Sequence, residues 1–113
     1  MKVAIVGSRD YPTLWEVWQY VSSLPADTVV VSGGARGVDA QAEYAANECG
    51  LKTEIYRAEW EKYGLSAGFK RNQQIVDAAD SVVAFWDGVS RGTVDTLDKA
   101  ARARKPIRVI RSD

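Results

Sequence analysis

Three stretches of this chain combine glycine with arginine: Gly7-Ser8-Arg9-Asp10, Ser32-Gly33-Gly34-Ala35-Arg36-Gly37-Val38-Asp39 and Trp86-Asp87-Gly88-Val89-Ser90-Arg91-Gly92-Thr93. Glycine lets a backbone turn sharply and approach an anion closely, because no Cβ stands in the way. The first amides of a helix lack internal partners, so a phosphate placed there gains hydrogen bonds and a favourable dipole. Gly34 and Gly37 can frame one such cradle. Ser90, Gly92 and Thr93 can frame another, with two hydroxyls for phosphate oxygens. The cations would be Arg9, Arg36, Arg71 and Arg91. The same glycines also suit plain strand-to-helix turns. No Gly-Lys-Ser/Thr of a Walker loop occurs, and the glycine spacing differs from the dinucleotide fingerprint.

Other polar groups lie in or beside these stretches. Asp10, Asp39 and Asp87 would repel a phosphate directly. They are better suited to accepting from a ribose hydroxyl or to tying down loop amides, and Asp39, in the first turn of a helix, fits the second role. Asn72 shares a helix face with Phe69, Val76 and Ala79, and an amide on such a face needs a partner, either a ligand or neighbouring backbone. Trp86 can stack on a base or fill a core position. The chain has no histidine, which excludes histidine-dependent triads, metal sites and general-base catalysis. A lone cysteine, Cys49, excludes an internal disulfide framework and a cysteine zinc cluster. Neither metal nor cofactor is expected.

The elements that must position these residues follow from the hydrophobic pattern. Strands are predicted over 2–6, 28–31, 53–56, 81–85 and 107–110, mostly as apolar runs. Helices are predicted from a Thr13 cap, with Glu16 completing a capping box, to Pro25, and then over 37–49, 66–79 and 93–103; residues 59–64 read as a loop. Trp15 lies off the first helix's apolar stripe and should be exposed. Alternation of apolar strands with helices means a mostly parallel sheet covered on both faces. The expected fold is a single α/β domain over 1–113, a modified Rossmann-like three-layer arrangement with five strands in the order 3-2-1-4-5. In such a sheet ligands bind at the carboxyl ends of the strands, at the switch point. That rule brings the three glycine-and-arginine stretches together.

Composition narrows the function. With 113 residues, 46% hydrophobic and 27% charged, the chain is an ordinary globular domain. Fifteen basic and fifteen acidic residues cancel, which argues against a partner held by bulk charge, whether nucleic acid or membrane. No apolar run approaches the roughly 18–20 residues of a membrane span and no leader pattern precedes the first strand, so a cytoplasmic location is expected. The basic residues Arg102, Arg104, Lys105, Arg108 and Arg111 fit a solvated face near a helix end.

The stretches Val31-Ser-Gly-Gly-Ala-Arg-Gly-Val-Asp39, Ala67-Gly-Phe-Lys-Arg-Asn72 and Ala84-Phe-Trp-Asp-Gly-Val-Ser-Arg-Gly-Thr93 resemble the YspA-like branch of the SLOG superfamily. That superfamily joins the DNA-processing protein Smf/DprA to the Lonely Guy hydrolases, and members of this branch occur in bacteria and phages. The resemblance runs from Gly7 to Pro106 and implies binding of a nucleotide or a nucleotide-derived, ADP-ribose-like ligand. Lonely Guy enzymes cleave base from ribose 5′-monophosphate with a Pro-Gly-Gly-x-Gly-Thr-x-x-Glu motif and an arginine on the preceding helix. Gly92 and Thr93 match its phosphate-binding pair and Arg71 its arginine, but Thr96 stands where the glutamate would be. A hydroxyl cannot supply that anionic charge. The loops and the resemblance together give a candidate ligand site of Gly7, Ser8, Arg9, Ser32, Gly33, Gly34, Arg36, Gly37, Asp39, Arg71, Asn72, Trp86, Asp87, Ser90, Arg91, Gly92, Thr93 and Thr96. The first functional reading is a domain that binds or senses a nucleotide-derived small molecule. The alternatives are a nucleoside 5′-monophosphate phosphoribohydrolase, with one of the three aspartates replacing the glutamate, and a DprA-like binder of single-stranded DNA. Zero net charge and the lack of an aromatic-basic stripe weigh against nucleic acid as the partner. Self-association through helices beside the site is open.

Overall fold

Each apolar run in the sequence becomes a strand of one sheet. The computed structural model describes residues 1–111. In it β1 (Lys2–Gly7), β2 (Val29–Ser32), β3 (Lys52–Ile55), β4 (Ser81–Trp86) and β5 (Ile107–Arg111) lie in the order β3-β2-β1-β4-β5. All four neighbouring pairs are parallel, with Ala4 opposite both Val31 and Val82 in the central three strands. The helices are α1 (Trp15–Ser22), α2 (Val38–Glu48), α3 (Trp60–Tyr63), α4 (Ala67–Ala78) and α5 (Arg91–Arg102).

Successive side chains of a strand point to opposite faces, so each central strand feeds two cores. Val3, Ile5, Val30, Val83 and Phe85 pack with Val17 and Val21 of α1 and with Val38, Ala42, Ala45 and Ala46 of α2. Ala4, Val6, Val31, Val82 and Ala84 meet Ile75 and Val76 of α4 and Ala100 of α5. This is the α/β fold and strand order that the sequence pattern implies. The central strands must be apolar on both faces, which is why they read as continuous runs rather than as alternation.

Two local expectations are corrected. Thr13 does not cap α1: Leu14 occupies the cap position in a helical conformation with no side-chain capping bond, and Thr13 Oγ1 is buried with no partner among the described residues. The Glu16 carboxylate that would complete the capping box instead accepts from the Tyr11 hydroxyl at 2.6 Å. The presumed loop over 59–64 holds α3, followed by a 3-10 turn at Gly64–Ser66. Both pieces are too short to show a helical period in sequence. At the far end of α5, Lys105 N–H donates to Ala100 O and Arg104 N–H to Ala101 O, a Schellman ending. Arg104 therefore takes the left-handed conformation, φ 58°, without being glycine.

Gly7 and Gly37 are demanded by close approach. A Cβ on Gly7 would overlap the Phe85 carbonyl and lie 2.7 Å from a Val38 methyl, where β1, β4 and the start of α2 converge. Gly37 has φ 80°, and its Cβ would overlap the carbonyl of Arg9. These contacts draw the β1 and β2 loops against each other. Among the described residues no helix is long and apolar enough to cross a membrane.

Candidate functional site

From β1 the chain runs outward to β2 and β3, then returns to place β4 and β5 on the other side. The two loops leaving β1 and β4 therefore diverge, and a crevice opens at that point. A cleft of about 490 Å³ lies there. Its walls include Gly7 and Arg9 after β1, Asp39 of α2, Arg71 and Asn72 of α4, Asp87 and Ser90 after β4, and Arg91, Gly92, Thr93 and Thr96 of α5. Eleven of the eighteen sequence-derived candidates thus converge on one cavity, within the range of small-molecule sites. Gly33 and Gly34 line an adjoining recess of about 230 Å³, which shares Arg9, Ala35, Trp60 and Arg71 with the cleft.

The remaining five candidates line neither cavity. The buried Ser8 hydroxyl accepts from Asp87 N–H at 3.0 Å, tying the β1 loop to the β4 loop. Ser32 donates to Ile5 O at 2.7 Å beneath the sheet edge. Arg36 points to solvent in a 2.8 Å ion pair with Asp10. Gly37 packs on Arg9. Trp86 donates its indole N–H to Ser90 O at 3.2 Å, with the Arg111 guanidinium 5.4 Å from its ring.

The β2 loop is closed by internal partners. Asp39, 6% exposed, accepts from Ala35 N–H at 3.4 Å. Burial pushes its carboxyl up to about 6, against the opposing pull of Arg71, the Ala35 and Gly33 amides and Arg9. Arg71 donates to Gly33 O at 2.7 Å and to Asn72 Oδ1 at 3.0 Å; burial is the main cause that lowers its own pKa. The carboxylate thus ties down the loop that leads into α2, through the Ala35 amide. Asn72 finds its partners within the protein: its amide donates to Asp95 at 3.0 Å and to Gly92 O at 3.4 Å, linking α4 to α5.

The β4 loop is tied differently. Asp87 accepts from both Val89 and Ser90 N–H at 2.9 Å, and these two bonds are the leading causes that lower its pKa. Ser90 Oγ accepts from the Thr93 hydroxyl at 3.2 Å and caps the Thr93 amide. The N–H groups of Arg91 and Gly92 have no protein partner among the described residues. Gly92 has no positive φ, and a Cβ there would meet nothing within 4 Å. Thr96 is buried and donates to Gly92 O at 3.2 Å.

Sequence reasoning missed the apolar side of the cleft. Trp60, Leu65, Phe69 and Val89 line it and are 51%, 94%, 55% and 78% exposed. Trp60 fell in the expected loop over 59–64, Leu65 between that loop and the next helix, and Phe69 on the face of α4 expected to be buried. Cations lie against Phe69 and the neighbouring Tyr63, which is outside the cleft: Lys99, paired with Asp95 at 2.6 Å, is 5.5 Å from the Phe69 centroid, and Lys62 and Lys70 are 5.1 and 4.7 Å from that of Tyr63. Residues 60–70, which bring Trp60, Lys62, Tyr63, Phe69 and Lys70 close together in the sequence, thus present an aromatic-basic surface once α3 and α4 have formed. Arg57, in the recess, is a further omission. Among the described residues no group of three or more His, Cys, Asp or Glu is placed to hold a metal ion.

A Rossmann-like sheet with a glycine- and arginine-lined cleft at its switch point defines the class. The model of the YspA, cpYpsA-related SLOG family matches residues 1–63. The Gene 61 protein of Mycobacterium phage D29 is 36% identical over 116 residues, covering 94% of this chain and 93% of that protein. The chain belongs to the YspA, cpYpsA-related SLOG family. Two solved structures share its fold. DNA processing protein A (DprA) from Streptococcus pneumoniae superposes with a TM-score of 0.87 at 22% identity, over 99% of this chain and 50% of that one. DNA processing protein A from Helicobacter pylori superposes with a TM-score of 0.69 at 24% identity, over 96% of this chain and 64% of that one. The chain thus spans one half to about two thirds of those proteins. The Helicobacter pylori structure describes a single-stranded DNA binding mode. The expectation against nucleic acid is overturned by that neighbour: overall neutrality does not exclude a strand from this fold, because a local surface, not the net charge, meets it.

Proposed function

We propose that this domain binds a nucleotide in the cleft between the β1 and β4 loops. The observation that carries the reading is the pairing, in one cavity, of open anion donors with half-exposed rings. Arg9 is exposed and makes no ion pair among the described residues. The free amides of Arg91 and Gly92 add two donors at the start of α5, where the helix dipole also favours an anion. Trp60 and Phe69 offer faces for a base. Binding without hydrolysis is the form the reading takes. Thr96 spends its hydroxyl on Gly92 O, and the acid that remains deepest in the cleft, Asp39, is engaged with loop amides. A thermal-shift series with adenosine monophosphate, nicotinamide dinucleotide, ADP-ribose and cyclic nucleotides tests it. A ligand at 100 times its dissociation constant should add about 2.7 kcal/mol. No stabilisation by any nucleotide would remove the reading, and release of free adenine from adenosine monophosphate would replace it with a hydrolase.

A second reading, single-stranded DNA, is favoured by the surface of Trp60, Tyr63 and Phe69 with Lys62 and Lys70. Stacking platforms beside cations suit successive bases. Length dependence separates the two. A strand binder gains affinity steadily from mononucleotide to hexanucleotide and loses it with salt, whereas a small-molecule site saturates at one or two units.

A further inference from the structure

The recess beside the cleft is absorbed by none of these roles. Three guanidiniums line it: Arg9, Arg57 and Arg71. Two are held side by side by consecutive carbonyls. Arg71 donates to Gly33 O at 2.7 Å and Arg57 to Gly34 O at 3.2 Å. Glycine at both positions makes room for them. A Cβ on Gly33 would stand 2.6 Å from an Arg71 nitrogen, and one on Gly34 would overlap an Arg57 nitrogen. The nearby carboxylates are Asp39 beneath Arg71 and Glu43, 3.5 Å from Arg57. Arg9, shared with the cleft, makes no ion pair among the described residues and interacts with Asp39 only at longer range. Each guanidinium carries five N–H groups, so donors remain after the carbonyls are served. Cations gathered this way match the fork geometry that receives a phosphate.

We propose that the recess between Arg9, Arg57 and Arg71 is a second phosphate subsite, so that the ligand carries two phosphoryl groups, one in the cleft and one across the Arg9–Arg71 wall. The inference rests on the nucleotide reading of the cleft and sharpens its ligand class. A monophosphate fills half of the site. A pyrophosphate-bridged or phosphodiester-linked nucleotide fills both halves. Arg57 touches only the recess, so it discriminates between one phosphate and two.

Calorimetric titration of the whole chain with adenosine monophosphate, ADP-ribose and the 5′-phosphorylated dinucleotide pTpT tests the proposal. One or both two-phosphate ligands should bind roughly tenfold or more tightly than the monophosphate, as a charge-assisted pair adds. Preference for ADP-ribose assigns a free pyrophosphate, and preference for pTpT a strand. Arg57→Ala should erase the increment and leave the monophosphate unchanged, while Glu43→Gln, which removes the competing carboxylate, should enlarge it. Equal affinity for one and two phosphates, or equal loss for both in Arg57→Ala, overturns the subsite. If no nucleotide binds, the cleft reading fails by itself. The recess is then judged by inorganic pyrophosphate, which should move the Arg57 Nε–Hε resonance; an unmoved resonance overturns it.

Discussion

The loops after β2 and β4 look like twins in sequence, each with glycines, an arginine and an aspartate. Folding gives them opposite electrostatics. In the β2 loop the aspartate is buried and its carboxyl is pushed up to about 6. In the β4 loop Asp87 stays near solvent and is lowered by two amide bonds. The β2 loop spends its polar groups internally, on Asp39, Arg71 and Arg57. The β4 loop leaves the Arg91 and Gly92 amides facing an open cleft. A glycine-rich stretch before a helix therefore does not by itself make an open anion cradle. What matters is how the surrounding side chains divide the loop's polar groups: Asp39, Arg71 and Arg57 engage Ala35, Gly33 and Gly34 after β2, whereas Asp87 and Ser90 take the Val89, Ser90 and Thr93 amides after β4 and leave those of Arg91 and Gly92.

Breaking the β2 loop should cost the most. Gly37→Ala places a Cβ against the Arg9 carbonyl at φ 80°. The strain and overlap should remove about 2–4 kcal/mol of stability, read by urea denaturation. A loss under about 0.5 kcal/mol would show that the two loops are not locked together there.

The pH response comes next and separates the two aspartates by sign. Asp39 has a folded pKa of about 6, above its reference value of 3.8. Between those values the native state holds a proton that the unfolded chain has released, so stability falls as pH rises through that window. The contribution is on the order of 2–3 kcal/mol. Asp87 acts in reverse: its folded pKa is lowered, so its contribution is present above the reference value of 3.8 and is lost as pH falls below it. Denaturation from pH 3 to 7 in the parent and in Asp39→Asn should show the decline above pH 4 only in the parent. An unchanged profile would mean that Asp39 is solvated.

Asp87→Ala should be milder. It deletes acceptors for Val89 and Ser90 N–H in a partly exposed loop, a loss of about 1–2 kcal/mol by thermal denaturation. Smallest for the fold is Gly92→Val, where the new side chain enters open space at a helical residue. Stability should change by no more than about 0.5 kcal/mol. Nucleotide binding should nevertheless fall below detection in calorimetry, because the branched side chain fills the cleft. Intact affinity in a folded Gly92→Val would place the phosphate elsewhere.

Patterns confined to neighbouring residues are legible in the sequence itself. Apolar runs such as 81–85 mark which segments become buried strands, since a central parallel strand must be apolar on both faces. Chain order then limits the topology, and the switch-point rule brings Gly7, Arg9, Gly92 and Thr93 to one edge. The exposed Trp15 is also within reach of helical periodicity, while Thr96 on the cleft is reached through the family resemblance. Only tertiary structure could decide how the polar groups pair. That Asp39 takes the Ala35 amide of the β2 loop, that Asn72 joins Asp95 rather than a ligand, and that Ser8 ties to Asp87 79 residues away all depend on three-dimensional distance. The same holds for Trp60, Leu65 and Phe69, which come from two elements and a turn and form one surface only after α3 folds beside α4. Secondary structure follows a local period that a sequence displays. Partner choice among charges and rings follows Coulombic and contact distances of a few ångströms, and those exist only once the chain has closed.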